Sequence, residues 1–440
     1  MKLSALELQV TAEIADAGDE LIALASDLIG FDTTARGVGD AAREERQLQE
    51  YLAGRLGAAG ADTELWEPGD ELAGGPLVPE GLDFRGRPQL IARFPGAGGG
   101  RSLLLNGHID VVTSEPRERW TSHPNRAEVR DGRLYGRGAC DMKGGVAAMT
   151  FAAETLARLG TGLAGDLLVC TNTDEESSGA GAMALTTRGI RADAGIIPEP
   201  TGFDVWVACR GSVLAAIDVP GAPGHAEMPQ PSWREGGAVN AIEKAAVVLE
   251  AIQRLREDWR GREDLRHPYV SPTSLVPTVI SGGEWTSTYP SSCRLTYVVA
   301  YPPAHADGQG WASVVEREVA ECIAHAAAGD DWLAEHPPAI VWSAGVTPME
   351  IPADAPIVRT IRAAADDLGL GGEVAGLDSW YDGATFTRFA ATPAVAFGPS
   401  GLDGDRTVAH TVDEFVPVAD LVACSQALAV AALRFCGTTH

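Results

Sequence analysis

Hydrophobic positions in the first two hundred residues follow two patterns. One has helical spacing and is found in residues 5–30, 41–59 and 143–160. The other is a short run that is apolar almost throughout, found in residues 88–96, 102–112, 165–176 and 193–200. Runs of this kind are typical of strands that are covered on both faces, and their alternation with helices predicts a largely parallel α/β sheet.

The pattern changes at about residue 208, where a β-α-β-β-α-β order begins. Its segments are 211–221, 237–255, 274–283, 292–303, 311–327 and 338–345. This order predicts a compact ferredoxin-like unit. The α/β style returns with a helix at 354–368, a strand at 393–401 and a helix at 417–435. We therefore predict a main α/β domain in two parts, 1–207 and 348–440, with an inserted domain at 208–347.

Composition narrows the range of partners. The chain has 440 residues and a formal net charge of -27 at pH 7, so we expect no binding to nucleic acid or to anionic membranes. The amino terminus lacks the basic start and apolar core of a signal peptide, and no apolar run approaches the ~20 residues of a membrane span. The seven cysteines are scattered and never form Cys-x-x-Cys, which favours reduced thiols in the cytoplasm and argues against a thiolate zinc site.

Histidines and carboxylates recur where the predicted strands end. They are His108, Asp110, Asp141, Glu175, Glu176, Glu199 and His410. In open α/β sheets, sites form at this carboxyl edge. Imidazole and carboxylate together suit zinc, with cobalt or manganese as alternatives, and two imidazoles cannot complete two metal sites without carboxylates. The run Asp174-Glu175-Glu176 fits such a site, since one acid can bind a metal, its neighbour can act as a base, and the cations offset the repulsion.

Six motifs give the chain a resemblance to a known family over nearly its whole length. In order they are "GHIDVV", "GRGACDMKGG", "DEESSGAGA", "IIPEPTG", "GAPGHAEMP…GAVNAIEKA" and "AHTVDEFV". The chain resembles the di-zinc amidohydrolases that include acetylornithine deacetylase, succinyl-diaminopimelate desuccinylase, aminoacylase and a glutamate carboxypeptidase. The resemblance implies a zinc-exopeptidase-like catalytic domain, mainly a parallel sheet with flanking helices, and an inserted lid domain that also serves dimerisation.

The resemblance also implies a role for each residue. His108 and Glu199 would bind one zinc, Glu176 and His410 the other, and Asp141 would bridge them. Glu175 would be the general base, and Asp110 would hydrogen-bond the ring of His108. His225 matches a lid histidine that reaches the neighbouring subunit's site in dimeric members, so a homodimer is expected. The competing interpretations are a packed core histidine for His108, a turn residue for Glu199, a loop cap for Asp110 and a surface histidine for His225.

The lid departs from the family at the substrate-binding residues. Ser287 stands where asparagine is usual, and "YVVAY" lacks the usual arginine. Either Arg210 or Arg294 substitutes, or the substrate has no carboxylate there. Trp285, Tyr381 and Gly398 are further candidates for substrate contact, together with Trp206 and Trp380. The histidines without a supporting pattern are expected to be structural or exposed: His123, His267, His305, His325, His336 and His440.

These features predict a cytoplasmic, metal-dependent hydrolase of linear amides that deacylates a small N-acyl amine or N-acyl amino acid. The segments "PLVPEGLDF", "GGEW" and "DWLAEHPPAIVW" look closest to deacylases such as formylaminopyrimidine deformylase. The enzymatic alternative is a dipeptidase or carboxypeptidase of the same family. The alternative from another class is a non-catalytic small-molecule binding protein that has kept the fold without the metals; a missing ligand would favour it, and every ligand is present.

Overall fold

The structure of the chain, a computed structural model, describes residues 2–35, 37–343 and 345–439. His440, one of the histidines expected to be structural or exposed, lies outside these ranges. The chain divides into two compact units. The first runs to Ala208 and also takes in Glu350–Gly376 and the segment from Tyr381 onward. The second consists of Cys209–Met349 and Leu377–Trp380.

Helices and strands alternate through most of the described ranges. The helices are α1 Ala5–Asp16, α2 Gly18–Gly30, α3 Glu45–Ala58, α4 Lys143–Arg158, α5 Ala180–Thr187, α6 Ala241–Gly261, α7 Ser313–Ala328, α8 Asp331–Glu335, α9 Pro356–Asp367, α10 Gly383–Phe389 and α11 Val418–Cys436. The strands are β1 Asp62–Trp66, β2 Gln89–Phe94, β3 Leu103–His108, β4 Glu128–Arg130, β5 Arg133–Tyr135, β6 Leu167–Asn172, β7 Ala194–Ile197, β8 Val205–Cys209, β9 Gly211–Pro220, β10 Ser274–Gly282, β11 Ser292–Tyr301, β12 Ala339–Trp342, β13 Met349–Glu350, β14 Val374–Leu377, β15 Ala394–Ala396, β16 Leu402–Asp403, β17 Arg406–Thr407 and β18 Phe415–Pro417.

A large mixed sheet forms the centre of the first unit, in the order β1-β2-β6-β3-β7-β15-β8-β13, with β14 on β8. Its middle strands are parallel, since β3 pairs in parallel with β6 and β7, and β15 with β7. These four strands are buried along their whole length, which explains their continuous apolar sequences. The predicted mainly parallel sheet is confirmed for this core; the pairs of β2 with β1 and β6, and of β15 with β8, are antiparallel.

The second unit has the predicted β-α-β-β-α-β order, formed by β9, α6, β10, β11, α7 and β12. Its sheet has the order β10-β11-β9-β12, and every pair is antiparallel. One face of the sheet packs against α6 and α7 around a buried core that includes Ile217, Val248, Leu295 and Val319. The predicted ferredoxin-like insertion is confirmed. The four residues Leu377–Trp380, which the predicted boundaries placed in the main domain, also belong to this unit.

Two predictions about helices are wrong. The helix expected over residues 5–30 is divided at Ala17, whose φ of -98° and ψ of 22° lie outside the α region and separate α1 from α2. Helix α11 is long and apolar enough, by length and composition, to cross a membrane, although no such run was expected. It packs against α1, α4 and α9, and 61% of its most apolar window is buried inside the protein. A helix covered on several sides in this way is apolar around most of its circumference.

Candidate metal centre

Parallel strands bring the predicted site residues together. His108 is the last residue of β3, Glu175 and Glu176 follow β6, and Glu199 follows β7. Because these neighbouring strands are parallel, their carboxyl ends lie at one edge of the sheet. Asp141 lies just before α4, and His410 lies in the loop before β18.

The side chains form two ligand groups that share one aspartate. His108, Asp141 and Glu199 make the first group, and Asp141, Glu176 and His410 make the second; within each group one ligand atom per residue lies within 4.8 Å of the others. The Nε2 atom of His108 is 3.3 Å from Oδ1 of Asp141 and 3.9 Å from Oε1 of Glu199. The Nε2 atom of His410 is 3.3 Å from Oδ2 of Asp141 and 3.1 Å from Oε2 of Glu176. The two oxygens of Asp141 therefore face different groups.

The three consecutive acids have different partners. Asp174 accepts hydrogen bonds from the guanidinium of Arg87 and from the hydroxyl of Thr173, at 2.5 and 2.7 Å. Glu176 is in the second ligand group. An oxygen of Glu175 lies 4.0 Å from Nε2 of His108, so this carboxylate borders the centre without belonging to either group.

The backbone carbonyl and the carboxylate of Asp110 make separate hydrogen bonds at the strand ends. Its backbone carbonyl oxygen, and not its carboxylate, is the hydrogen-bond partner of His108 Nδ1, at 2.9 Å; the nearest carboxylate oxygen is 3.7 Å away. The predicted hydrogen bond to the imidazole ring therefore comes from the main chain. The carboxylate accepts the backbone N–H groups of Glu175 and Glu176 at 3.3 and 3.1 Å, and thereby fixes the turn that carries both glutamates.

Asp141 is held by a buried carboxylate that the sequence pattern did not single out. Oε1 of Glu414 accepts the backbone N–H groups of Cys140 and Asp141 at 3.0 and 3.1 Å. Its other oxygen pairs with the guanidinium of Arg137, and both side chains are nearly inaccessible to solvent. The ion pair of Arg137 with Glu414 therefore holds the backbone at Asp141 in place.

Burial and crowding of like charges dominate the electrostatics of the centre. Burial raises the pKa of Glu175 and of Glu199 well above the usual value, and it raises the pKa of Asp110 to about 7. Hydrogen bonds to Asp141 and Glu176 raise the pKa of His410 to about 10. Burial opposes protonation of His108, but its hydrogen bond to Asp141 and the charges of Glu175 and Glu199 outweigh it, so its pKa is also raised. Cations at the centre would relieve the repulsion among these acids.

The donor set fits two divalent cations. Each group offers one imidazole nitrogen and carboxylate oxygens, the donors that zinc and related metals bind. Oε1 of Glu199 is buried and has no hydrogen-bond partner among the described residues, which is costly for a carboxylate unless a cation binds it. The arrangement also matches a two-metal centre, in which one carboxylate is shared and a position stays open for water.

The predicted lid residues lie close to one another in the second unit. His225 is exposed, in the loop between β9 and α6, and pairs in an isolated bridge with Thr288. The backbone N–H of Ala226 donates to the carbonyl of Ser287 at 2.8 Å. The side chain of Trp285 is 72% exposed and lines a cavity of about 620 Å³ beside this loop.

The two arginines proposed to replace the missing lid arginine are already engaged. The guanidinium of Arg210 donates to the carbonyls of Asp378 and Pro272 and to the hydroxyl of Ser274. It therefore ties the segment 377–380 to the second unit. Arg294 forms a two-point ion pair with Asp218 on the neighbouring strand β9, at 2.6 and 2.7 Å. Neither guanidinium is free to bind a substrate carboxylate without breaking these contacts.

The structure gives packing reasons for two further candidates for substrate contact, Tyr381 and Gly398. Tyr381 is 1% exposed, and its hydroxyl donates to the carbonyl of Trp206 at 3.4 Å. Gly398 lies against the backbone that carries a predicted ligand, because a Cβ there would be 2.2 Å from the carbonyl oxygen of Glu199. Any larger residue at this position would displace Glu199.

Sequence reasoning missed the residues that support the centre from behind. These are Arg87, Arg137, Asn172, Asp382 and Glu414. Each is buried, and each acts through a partner that is distant in sequence. The only available signal was position, since Glu414 lies within the motif "AHTVDEFV" that was singled out for His410.

The chain is similar to known proteins over most of its length. The sequence model of peptidase family M20/M25/M40 matches residues 104–434 of this chain. The acetylornithine deacetylase of Myxococcus xanthus is 33% identical, over 95% of this chain and 98% of its own length. The N-formyl-4-amino-5-aminomethyl-2-methylpyrimidine deformylase of Halalkalibacterium halodurans is 27% identical, over 99% of this chain and 98% of its own length. A solved dinuclear metal-binding peptidase of family M20 from Bacillus subtilis has a TM-score of 0.62 at 15% identity, with 96% of this chain and 99% of that one covered.

The family resemblance is thus confirmed by a match over most of the chain, by relatives that share nearly its full length, and by a shared fold. The chain belongs to peptidase family M20/M25/M40.

Proposed function

We propose that the protein hydrolyses the linear amide bond of a small N-acyl amine or N-acyl amino acid, with two divalent cations, zinc or cobalt, bound at the carboxyl edge of the sheet. The observation that carries this proposal is the sharing of Asp141 between two complete ligand groups, with Glu175 beside them. The names of the two relatives, a deacetylase and a deformylase, support N-deacylation.

In this proposal each of the two ligand groups seen in the structure holds one cation. His108, Asp141 and Glu199 would hold one cation, and Asp141, Glu176 and His410 the other. Bound there, the two cations would polarise the acyl carbonyl and lower the pKa of an attacking water to about 7. Asp110 and Glu414 would keep the ligand-bearing turns in place through their hydrogen bonds to backbone N–H groups.

Glu175 is the proposed general base. It lies beside the ligand groups and its carboxylate is buried, and this burial raises its pKa well above the usual value of a glutamate, which makes it a stronger base. Glu175 would take the proton of the attacking water and return it to the departing nitrogen. His225 would donate a hydrogen bond to the oxyanion that forms at the acyl carbon.

Two classes of substrate fit the proposal. The relatives include a deacetylase that acts on an amino acid derivative, by its name, and a deformylase that acts on a pyrimidine. Ser287 in place of asparagine, the absence of arginine from "YVVAY", and the engaged guanidinium groups of Arg210 and Arg294 favour an amine without a carboxylate at that position.

We also propose a homodimer joined through the lids, in the cytoplasm. Strand β10 is at the edge of the lid sheet, and it exposes three large apolar side chains, Val276, Val279 and Ile280, at 45%, 55% and 59%. An exposed apolar edge strand is a ready surface for pairing with a second copy. The described residues form no disulfide, as a reducing compartment would favour.

Metal analysis followed by a substrate screen tests the proposal. The purified protein should contain two zinc or cobalt ions per chain, lose activity on chelation and regain it when either metal is added. The screen should compare N-formyl and N-acetyl amines, the corresponding N-acyl amino acids, and dipeptides. Full activity in protein shown to be free of metal would refute the proposal, and activity on dipeptides alone would make the protein a peptidase.

A further inference from the structure

One buried carboxylate beside the metal centre has no part in the proposed reaction. Asp382 is fully buried and occupies the N-cap position of α10. An aspartate at this position usually accepts a backbone N–H group of the first helical turn, but the side chain of Asp382 makes no such bond. The carboxylate is directed elsewhere, so helix capping does not explain it.

Asp382 ends a chain of buried side-chain hydrogen bonds that joins the neighbouring strands β3 and β6 to the start of α10. Its Oδ2 accepts a hydrogen bond from Asn172 Nδ2 at 2.7 Å, and Oδ1 of Asn172 accepts one from Asn106 Nδ2 at 2.9 Å. Asn172 is the last residue of β6, where it pairs in register with His108 of β3. It also lies three residues before Glu175. The chain of hydrogen bonds thus links Asp382 to the two strand ends that carry the centre.

The hydrogen bonds connect Asp382 to one side of the centre. Asn172, which donates to Asp382, pairs in register with His108, and His108 belongs to the first ligand group. Burial raises the pKa of Asp382 to about 6, while the hydrogen bond from Asn172 and the nearby His108 favour its ionised form. Asp382 is therefore linked to the group that contains His108 and Glu199.

The burial of this carboxylate is energetically unfavourable for the fold. Oδ1 of Asp382 is buried without a hydrogen-bond partner among the described residues, and so is Oδ1 of Asn106 at the other end of the chain. A buried carboxylate with a single side-chain partner is unfavourable unless opposite charge lies nearby. Nearby cations would supply that charge without touching Asp382.

We infer that Asp382 is a positioning residue of the metal centre that selectively strengthens binding of the cation held by His108, Asp141 and Glu199, through its charge and its hydrogen bonds to Asn172. This inference rests on the proposed two-cation function. It predicts opposite effects of one substitution on two properties. Removal of the charge weakens cation binding, and it stabilises the metal-free protein or leaves its stability unchanged.

The test substitutes Asp382→Asn, which keeps the size of the side chain and an oxygen that can accept from Asn172. Zinc and cobalt affinities are measured by competition with a chelating dye, and the thermal unfolding of the metal-free protein is recorded beside them. One of the two dissociation constants should rise about 10–100-fold, as is usual for carboxylates that support ligands from outside. The matched control is Asp420→Asn, which removes a partly buried carboxylate at the start of α11. It should leave both affinities unchanged.

A second substitution identifies the affected cation. In a His410→Ala background, which removes a ligand of the other group, Asp382→Asn should still weaken the remaining cation. In a His108→Ala background it should have no effect. The inference is wrong if Asp382→Asn leaves both affinities unchanged in a wild type that binds two cations, or if it lowers affinity and metal-free stability together. If the wild type binds no cation, the proposed function fails and the inference with it.

Discussion

At the scale of single residues, the run Asp174-Glu175-Glu176 shows how like charges can be adjacent in sequence and still be tolerated. Asp174 pairs with Arg87, Glu176 points to His410, and Glu175 borders His108. The family resemblance implies that Glu176 binds metal and that Glu175 acts as base, and both roles are part of the proposed function. The sequence could not predict Arg87, since an arginine 87 residues away becomes the partner only after the sheet has formed.

The first prediction concerns the general base. Glu175→Gln should lower turnover by roughly 10²–10⁴-fold, the usual contribution of general acid–base catalysis, because an amide cannot accept the proton of the attacking water. Both cations should remain bound, since Glu175 belongs to neither ligand group. Turnover is measured together with metal content.

Glu176→Gln is the matched control, because it changes the neighbouring carboxylate in the same way but removes a proposed ligand. It should lose one cation as well as activity. Near-normal turnover of Glu175→Gln with both cations present would remove Glu175 from the mechanism.

At the scale of elements, the centre depends on close approaches that only glycine allows. Helix α4 passes so near the end of β7 that a Cβ at Gly145 would lie 2.0 Å from the carbonyl oxygen of Pro198. The next residue is Glu199. The contact between this helix and the turn after β7 therefore sets the position of a proposed ligand.

The second prediction tests this contact. Gly145→Ala should destabilise the metal-free protein by about 1–3 kcal/mol, the usual cost of overpacking, and should weaken zinc binding by displacing Glu199. Gly54→Ala is the control, since Gly54 lies within helix α3 and nothing lies within 4 Å of its Cβ position. That change should stabilise the protein by up to about 1 kcal/mol through helix propensity. Urea unfolding measures the stability of both metal-free variants. A Gly145→Ala protein as stable as the wild type would contradict the packing argument.

Elements with a strong hydrophobic pattern were predicted, and elements with a weak pattern were missed. The buried strands β3 and β6 and the helix α4 were predicted because long apolar runs leave few alternatives. The short helices α5 and α10 were missed, since small residues and glycines give them no clear period. Asp382 lies at the start of α10, so missing that helix also meant missing a carboxylate beside the centre.

At the scale of the whole molecule, the insertion of one unit into the other was predicted from the change of pattern near residue 208. The segment Leu377–Trp380 was not predicted to join the inserted unit. Its attachment depends on hydrogen bonds of Ser271 and Arg210 to Asp378, which no local pattern shows.

The third prediction concerns assembly. If His225 acts across a lid-joined dimer, mixing two inactive variants, His225→Ala and Glu175→Gln, should restore part of the activity. A mixed dimer would contain one site that lacks both groups and one intact site. The loss of one oxyanion donor typically costs about 2.7–4 kcal/mol in the transition state, so His225→Ala alone should be slow enough for the recovery to be measured.

The mixing experiment needs conditions under which subunits exchange, and exchange is verified with differently tagged chains. A mixture of either variant with itself is the control and should stay inactive. Verified exchange without recovered activity would place the action of His225 within its own chain, or outside the reaction.

The position of the insertion sets the order in which a ribosome can complete the metal centre. His108, Asp141, Glu176 and Glu199 all precede the second unit in the chain, while His410, Glu414 and α11 follow it. During synthesis the four early ligands emerge first, and the residues that complete the second ligand group and fix Asp141 emerge more than two hundred residues later. Helix α11 then covers α4. A nascent or truncated chain that stops within the second unit therefore lacks His410, one of the three residues of the second ligand group. Under the proposed function, tight retention of both cations becomes a mark of a fully synthesised molecule.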